Sequence, residues 1–258
     1  MSLIYTPKGK AREYSPLALN IYSGCDHQCE YCYVRKSPYM SGPEIPVPRK
    51  DILTGLKKEL ESRPPITDQV LLSFTGDPYC KAEEKYGITR QVLELMLEHQ
   101  VPVAILTKGG TRCLRDIDLF KQFDNIKVGA TLTFNLVEYS DKWEPLAESP
   151  NDRKHALMIL HDLGIRTWVS IEPVISPKQS LSLIHQSLPY VDQYKVGRWN
   201  HDARANLIDW KAFGTEAVRI LREAGKDFYV KKDLAVHLDG LTPEETNMDR
   251  LALKRGGL

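Results

Sequence analysis

Two hydrophobic patterns take turns along this chain. Short apolar runs, such as Val70-Leu71-Leu72-Ser73-Phe74, read as buried strands, and further runs of this kind lie at 103–107, 127–133, 166–171 and 193–196. Between them lie longer stretches whose apolar residues recur every three or four positions. Residues 51–62 carry Ile52, Leu53, Leu56 and Leu60 on one helical face and stop at Pro64-Pro65. The same period marks 89–98, 113–123, 152–163 (broken by Gly164), 178–188 and 210–224. A first strand is read at 17–22 and a final strand-like run at 228–230. Strand and helix alternating in this way imply an α/β fold with parallel strands joined by right-handed crossovers. Periodicity leaves two arrangements open: an open barrel of about six β/α units, or a flat doubly wound sheet.

Composition narrows this only slightly. With 258 residues, 42% hydrophobic and 27% charged, the chain is long enough for one sizeable core and resembles an ordinary soluble protein. We read residues 1–232 as one domain and 233–258 as a C-terminal extension that packs on it or meets a partner, with Thr242-Pro243-Glu244-Glu245 resembling a helix start. The first fifteen residues hold charge and proline but no apolar run of signal length, and no stretch approaches the ~20 apolar residues of a membrane span. A cytoplasmic protein is therefore expected. Lys and Arg total 35 against 34 Asp and Glu, a net charge of +1, so the overall field advertises no polyanionic partner. Local basic positions at Lys195, Arg198, Arg204, Lys231 and Lys232 would line a phosphate path, or be solvated loop and helix-end charges.

The chemistry is concentrated in Gly24-Cys25-Asp26-His27-Gln28-Cys29-Glu30-Tyr31-Cys32-Tyr33. Cys25, Cys29 and Cys32 put three thiolates, spaced by four and by three, into one compact loop. Soft sulfur ligands without a fourth partner suit an iron-sulfur cluster that keeps one iron open. Structural zinc would need a fourth ligand, and His27 inside the loop would have to fold back into a very small cage to provide it. The odd count of five cysteines argues against a disulfide framework. Scattered histidines, with no HxxxH spacing, argue against a metal-dependent hydrolase.

This CxxxCxxC loop, with Tyr31 just before its last cysteine, resembles the cluster loop of the radical S-adenosylmethionine (radical SAM) superfamily. The resemblance implies a 4Fe-4S cluster held by Cys25, Cys29 and Cys32, with SAM chelating the fourth iron and being cleaved reductively to a 5'-deoxyadenosyl radical. It also favours the incomplete (β/α)6 barrel, a partial TIM barrel whose site lies in the loops at the C-terminal strand ends. Those exits are polar here: Thr75-Gly76-Asp77-Pro78, Thr107-Lys108-Gly109-Gly110, Thr131-Leu132-Thr133, Ser170-Ile171-Glu172-Pro173 and Gly197-Arg198-Trp199-Asn200.

Thr75-Gly76-Asp77 stands where the family carries a Gly-Gly-Glu-like turn that binds the methionine amino group. Gly76 permits close backbone approach, and Asp77 can accept from an ammonium. Lys108 would project over the strand ends as the cation for the SAM carboxylate. Lys108 followed by Thr131 and Thr133 is similar to the SAM-binding order of the spore photoproduct lyase and DNA repair photolyase-like group. The lead-in Asn20-Ile21-Tyr22-Ser23-Gly24, Thr75 to Tyr79 and the run Trp168 to Ile175 also resemble that group. By the same resemblance Glu172 would take the SAM ribose hydroxyls or a substrate group; read from the residues, it could equally be a buried acid paired with Arg198. Tyr31 and Tyr33 would stack on adenine or substrate, or simply pack. Spore photoproduct lyase uses a cysteine hydrogen donor near the second exit. The matching position here is Phe74, which leaves Cys80, several residues on, as the candidate catalytic thiol, with a packed thiol as its alternative. Cys113 reads as a packed thiol.

The expected function is a radical SAM enzyme that abstracts hydrogen from a substrate, with a nucleic-acid pyrimidine, in repair or base modification, suggested by the resemblance. A flavodoxin- or ferredoxin-like electron donor would be a partner. The competing readings are a non-catalytic zinc or iron-sulfur interaction protein, and a radical SAM enzyme acting on a small metabolite or peptide.

Overall fold

The computed structural model describes residues 2–37 and 42–256, so 38–41 of the proline-rich stretch 37–48 lie outside the described residues. Strands β1 (Leu17–Leu19), β2 (Tyr22–Ser23) and β3 (Val47–Pro48) accompany the short α1 (Tyr33–Lys36). Then follow α2 (Ile52–Ser62), β4 (Val70–Leu72), α3 (Ala82–Tyr86), α4 (Ile88–Glu98), β5 (Val103–Thr107), α5 (Ile117–Phe120) and β6 (Ile126–Thr131). The chain continues through α6 (Val137–Trp143), α7 (Pro150–Asp162), β7 (Arg166–Ile171), α8 (Pro177–Ser187), β8 (Gln193–Val196), α9 (Trp210–Glu223), β9 (Asp227–Val230) and α10 (Lys232–Ala235).

Seven strands form one parallel sheet in the order β1-β4-β5-β6-β7-β8-β9, and β2 and β3 form a separate antiparallel pair. The order never reverses. A doubly wound sheet needs a reversal, so the fold is the barrel-type α/β arrangement, with 228–230 contributing a seventh strand. The strands are accordingly covered on both faces: β4, β6 and β8 are buried at every position because helices cover one face and the barrel interior the other. On the outer side, Leu19, Val70, Leu72, Val103, Ile105 and Val128 pack with helix residues such as Leu56, Val92 and Leu160. On the inner side, Ala18, Leu71, Ala104 and Trp168 cluster. A side chain at Gly129 would lie 2.5 Å from the Trp168 indole nitrogen, so a bare position on β6 makes room for the ring.

The helices follow ordinary end and face rules. In α9, Trp210, Phe213, Ala217, Ile220 and Leu221 form the buried stripe, and Asp209 caps the start by accepting from Ala212 N at 2.9 Å. Ser149 caps α7 through Asp152 N, with Pro150 as the first helical residue.

Two sequence expectations change. The strand read at 17–22 ends at Leu19, because Asn20 Oδ1 accepts from Phe74 N (2.8 Å) and Thr75 N (2.9 Å), replacing the ladder with β4 by a side chain and freeing β2 to pair with β3. The helix read at 113–123 begins as a tight 3₁₀ turn over Gly110–Asp116. There Thr111 is held by Asp152 of α7 and Arg112 Nε by Tyr79 O, and these tertiary bonds prevail over helix period. The helix α6 is an addition that the sequence reading lacks.

The N-terminal segment bridges the two sheet edges. Tyr5 exchanges backbone bonds with Ala18 of β1, while Glu13 Oε2 accepts from the Tyr229 hydroxyl of β9 (2.6 Å) and from Lys232 N (2.8 Å). The C-terminal segment crosses the N-terminal strand ends. Leu251 and Leu253 are buried, Lys127 Nζ donates to Leu251 O (2.5 Å), and Leu253 N donates to Gln69 Oε1 (3.1 Å). No helix among the described residues is long and apolar enough to cross a membrane.

Candidate functional site

A cavity of about 730 Å³ opens at the C-terminal ends of the parallel strands. Its wall takes Ser73 to Asp77 after β4, Lys108 after β5, Thr131 at the end of β6, Glu172 after β7, Arg198 after β8 and Lys231 after β9. Cys25, Cys29 and Cys32 all line it. This size suits a ligand of cofactor dimensions.

The cysteine loop is fastened on several sides. Asp26 Oδ2 accepts from Lys81 N (2.9 Å), Glu30 N donates to Trp143 O (2.9 Å), and Leu146 N donates to His27 O (3.3 Å). Gly24 enters the loop at φ +87°, and a side chain there would meet Pro43 O at 2.1 Å. The sequence reading has Gly76 approaching a ligand. What approaches it most closely is the loop backbone, since a side chain at Gly76 would lie 2.8 Å from Gly24 O.

Asp77 is the hub of this attachment. Its Oδ1 accepts from Thr107 Oγ1 (2.5 Å) and Tyr79 N (2.8 Å), its Oδ2 accepts from Lys108 N (2.7 Å), and His27 Nε2 lies 3.0 Å from Oδ2. Burial by itself would raise the carboxyl, but His27, Thr107 and the Lys108 amide hold it well below the usual carboxylate range. These partners take up the roughly four acceptor sites of a carboxylate, leaving little for an incoming ammonium.

Cys29 is buried, and Cys25 and Cys32 are half-buried. Burial pushes the Cys29 thiol up to about 12 against the downward pull of Lys108, and burial followed by Asp77 holds Cys25 well above its ordinary value. Thiols in such a setting ionise when a metal replaces the proton. The donor chemistry fits an iron-sulfur group: three sulfurs on one cavity wall, with open volume beside them. Zinc closed by His27 fits less well, because the ring is already placed against Asp77. The ligand atoms of Cys25, Asp26 and His27 lie within 4.8 Å of one another, but this set omits Cys29 and Cys32. Asp26 Oδ2 and the His27 ring also fasten the loop, while Asp26 Oδ1 and His27 Nε2 are buried without a hydrogen-bond partner among the described residues.

The Lys108 ammonium sits 5.6 Å from the centre of the Tyr31 ring and has no carboxylate within ion-pair distance among the described residues. Tyr31 donates its hydroxyl to Glu144, which is buried and paired with Arg153 Nη2 at 2.7 Å. Arg153 also donates to Thr131 O (3.1 Å) and Glu148 O (2.8 Å). Glu144 and Arg153 were missed in the sequence reading. The available signal was an arginine on the buried stripe that also holds Ala156, Leu157 and Leu160 of α7, a placement that demands a buried acid.

Across the cavity, Glu172 accepts from the Tyr14 hydroxyl (2.5 Å), Lys231 Nζ (2.5 Å) and Asn200 Nδ2 (3.1 Å). It is therefore a paired acid, but its partner is Lys231 and not Arg198. Tyr14 is a further wall residue that the sequence reading did not name, while Asn200 stood there only as part of the β8 exit and Lys231 only as a basic position for a phosphate path.

The structure thus brings Tyr31, Thr75, Gly76, Asp77, Lys108, Thr131 and Glu172 to the same cavity as the three cysteines. Thr133 and Cys80 stay off that wall. Thr133 is fully buried, with its Oγ1 3.3 Å from the Tyr31 hydroxyl. Cys80 is fully buried in the apolar cluster with Leu72, Tyr79 and Cys113, so the thiol considered for catalysis is a packed one. Its turn past β4 buries the side chain on the helix side of the sheet.

Comparison with known proteins places these features. The family described as the Radical SAM superfamily is matched by residues 19–188. An uncharacterized protein of Methanocaldococcus jannaschii is 30% identical over 185 residues, covering 68% of this chain and 67% of that protein. Spore photoproduct lyase complexed with dinucleoside spore photoproduct superposes with a TM-score of 0.66 at 14% identity, covering 88% of this chain and 78% of that one. Streptococcus suis SuiB bound to S-adenosylmethionine gives 0.61 at 16% identity, covering 84% of this chain and 51% of that one, so the match spans about half of SuiB.

Proposed function

The chain belongs to the radical SAM superfamily and is a radical SAM enzyme, and on that premise we propose that Cys25, Cys29 and Cys32 hold a 4Fe-4S cluster, with SAM in the adjoining cavity. One observation carries the assignment: the three thiols and the unpaired Lys108 ammonium share a single cavity at the C-terminal strand ends. When bound, the cluster and SAM supply reductive cleavage and hydrogen abstraction. An electron donor of flavodoxin or ferredoxin type would feed the cluster.

The chain's own residues bind and orient. Lys108, which has no carboxylate within ion-pair distance among the described residues, takes the SAM carboxylate in a charge-assisted contact. Tyr31 presents its ring beside that cation, held by Glu144 and Arg153. Thr75 and Thr131 offer hydroxyls, and Gly76 keeps the second exit flush against the cysteine loop. Asp77 orients the loop and the backbone of Lys108 in place of meeting the ammonium. Glu172, with three donors already, shapes the far wall. Residues from Tyr5 to Lys231 supply the wall; of the extension, Asp233 and His237 stand beside Lys10 and Arg198, and Leu251 and Leu253 cross the opposite end of the barrel.

For the substrate we favour a nucleic-acid pyrimidine. Among the described residues, six basic side chains line the cavity (Lys8, Lys10, Arg35, Lys108, Arg198 and Lys231) against three acidic ones (Glu44, Asp77 and Glu172); Lys231 is paired with Glu172 and Lys10 with Asp233, which leaves four cations against Glu44 and the internally bonded Asp77. The local field is basic although the chain is nearly neutral, which favours an anionic substrate. The fold shared with spore photoproduct lyase is consistent with this reading.

The test is anaerobic reconstitution with iron and sulfide, reduction in the presence of SAM, and assay for 5'-deoxyadenosine with and without an oligonucleotide. Cys29→Ala should lose both iron and product, whereas Cys113→Ala should keep both. Wild-type iron content in Cys29→Ala would remove the ligand assignment, and product formation indifferent to oligonucleotides would count against the substrate class.

A further inference from the structure

Two half-buried cations on the cavity wall have no carboxylate within ion-pair distance among the described residues. One is Lys108, after β5. The other is Arg198, after β8, with β6 and β7 between them in the sheet. SAM carries one carboxylate, so the second cation calls for a second anion.

Arg198 is held in place without being neutralised. Its guanidinium carbon sits 4.9 Å from the centre of the Trp210 ring, and Nη1 is 3.1 Å from His237 Nε2. Its Nε is buried and has no hydrogen-bond partner. The acid that lies closest along the wall is already committed: Glu172 pairs with Lys231, and the absence of a side chain at Gly197 lets that pair lie against the end of β8, where a Cβ would be 2.8 Å from Glu172 Cδ. A buried guanidinium donor without an acceptor is costly, and a planar fork stacked on an indole is preorganised for an oxyanion. Beside it, Asn200 Nδ2 donates to Arg198 O (3.2 Å), and Lys10, itself paired with Asp233 Oδ2 at 3.0 Å, donates to Asn200 Oδ1.

We propose that Arg198 is an anion anchor that receives a backbone phosphate of the nucleic-acid substrate and so sets the base over the cavity. This rests on the nucleic-acid reading above and goes further by naming the contact. Its position on the far side from Lys108 keeps the phosphate clear of the SAM carboxylate.

The test uses the full reconstituted chain with SAM, a fluorescent single-stranded oligothymidylate, and inorganic pyrophosphate as a second probe. Arg198→Met keeps an apolar stem on Trp210, and Arg198→Lys keeps the charge but loses the fork. Expected results are oligothymidylate binding weakened about tenfold or more in Arg198→Met, partial recovery in Arg198→Lys, and a salt dependence shallower by about one phosphate contact in Arg198→Met. Equal binding by wild type and both variants overturns the anchor while leaving the nucleic-acid reading intact. Wild type that binds pyrophosphate through Arg198 but not oligothymidylate supports the anion site and removes the nucleic-acid reading. Wild type that binds neither probe overturns the anchor. Should Arg198→Met lose its native circular dichroism, the wild-type and Arg198→Lys results decide.

Discussion

His27 Nε2 lies 3.0 Å from Asp77 Oδ2, fixing the middle of the cysteine loop to the exit of β4. The same carboxylate also receives Thr107, Tyr79 and the Lys108 amide, so one buried side chain sets the relative positions of the proposed cluster ligands and the proposed SAM cation.

Asp77→Asn keeps the shape but offers one oxygen in place of two, so at least one of these donors faces an amide NH₂. The variant should lose about 2–4 kcal/mol of stability, as expected when a buried charged hub is broken. It should also retain less iron after reconstitution and desalting although all three cysteines remain. Urea unfolding and the iron-to-protein ratio test this, and wild-type values for both would mean that the attachment is incidental.

Lys108→Met removes the cation that sits over the Tyr31 ring. SAM affinity should fall about tenfold or more, with iron content unchanged. Equilibrium dialysis of SAM against the reconstituted protein measures the first, and a metal assay the second. A parallel loss of iron would instead place Lys108 in the support of the cysteine loop.

Glu172→Gln leaves Lys231, which is 1% exposed, without its counter-charge. An uncompensated buried charge should cost about 3–5 kcal/mol, and the double variant Glu172→Gln/Lys231→Met should recover part of it. Chemical denaturation of the three variants decides. Unchanged stability in the single variant would indicate that Glu172 is available as a ligand acid.

Lys195 gives a pH signature. Its ammonium is buried, donating to Glu13 O (2.7 Å) and Tyr14 O (2.9 Å), and burial followed by Lys231 lowers its pKa to about 7. The unfolded lysine titrates near ~10.4, so between about 7 and that value the unfolded chain binds more protons than the folded one. Lys195 therefore contributes an increase in stability as pH rises through that window, and its cost to the fold is greatest below it. In Lys195→Met this contribution should vanish. Urea midpoints for both proteins from pH 6 to 10 measure the difference, and parallel curves would show that Lys195 does not titrate there.

Legibility in the sequence followed burial. The strands at 103–107, 166–171 and 193–196 were read with their observed limits: the first is a nearly unbroken apolar run, and the other two keep Trp168-Val169 and Tyr194 with Val196 among buried polar residues. Lys108, Thr131 and Glu172 reach the cavity because each ends or follows such a strand, and a parallel barrel brings all C-terminal ends to one rim. Thr75, Gly76 and Asp77 reach it through the turn after β4, whereas Cys80 in the same segment and Thr133 after β6 do not. Turn geometry depends on contacts distant in sequence. Arg153 and Glu144, nine residues apart, form a pair only because α7 packs against β6 and the Tyr31 hydroxyl arrives from the cysteine loop.

The sequence by itself determined the alternation of elements, the three-thiol loop and which polar residues stand at the strand exits, since local spacing fixes all of these. Tertiary structure decided the partners. It joined Asp77 to His27, Glu172 to Lys231 and Tyr31 to Glu144, left Lys108 and Arg198 with no acid at ion-pair distance among the described residues, and set Cys80 in the core. Charge pairing between residues scores of positions apart depends on where folding carries each side chain, and no local pattern encodes that distance.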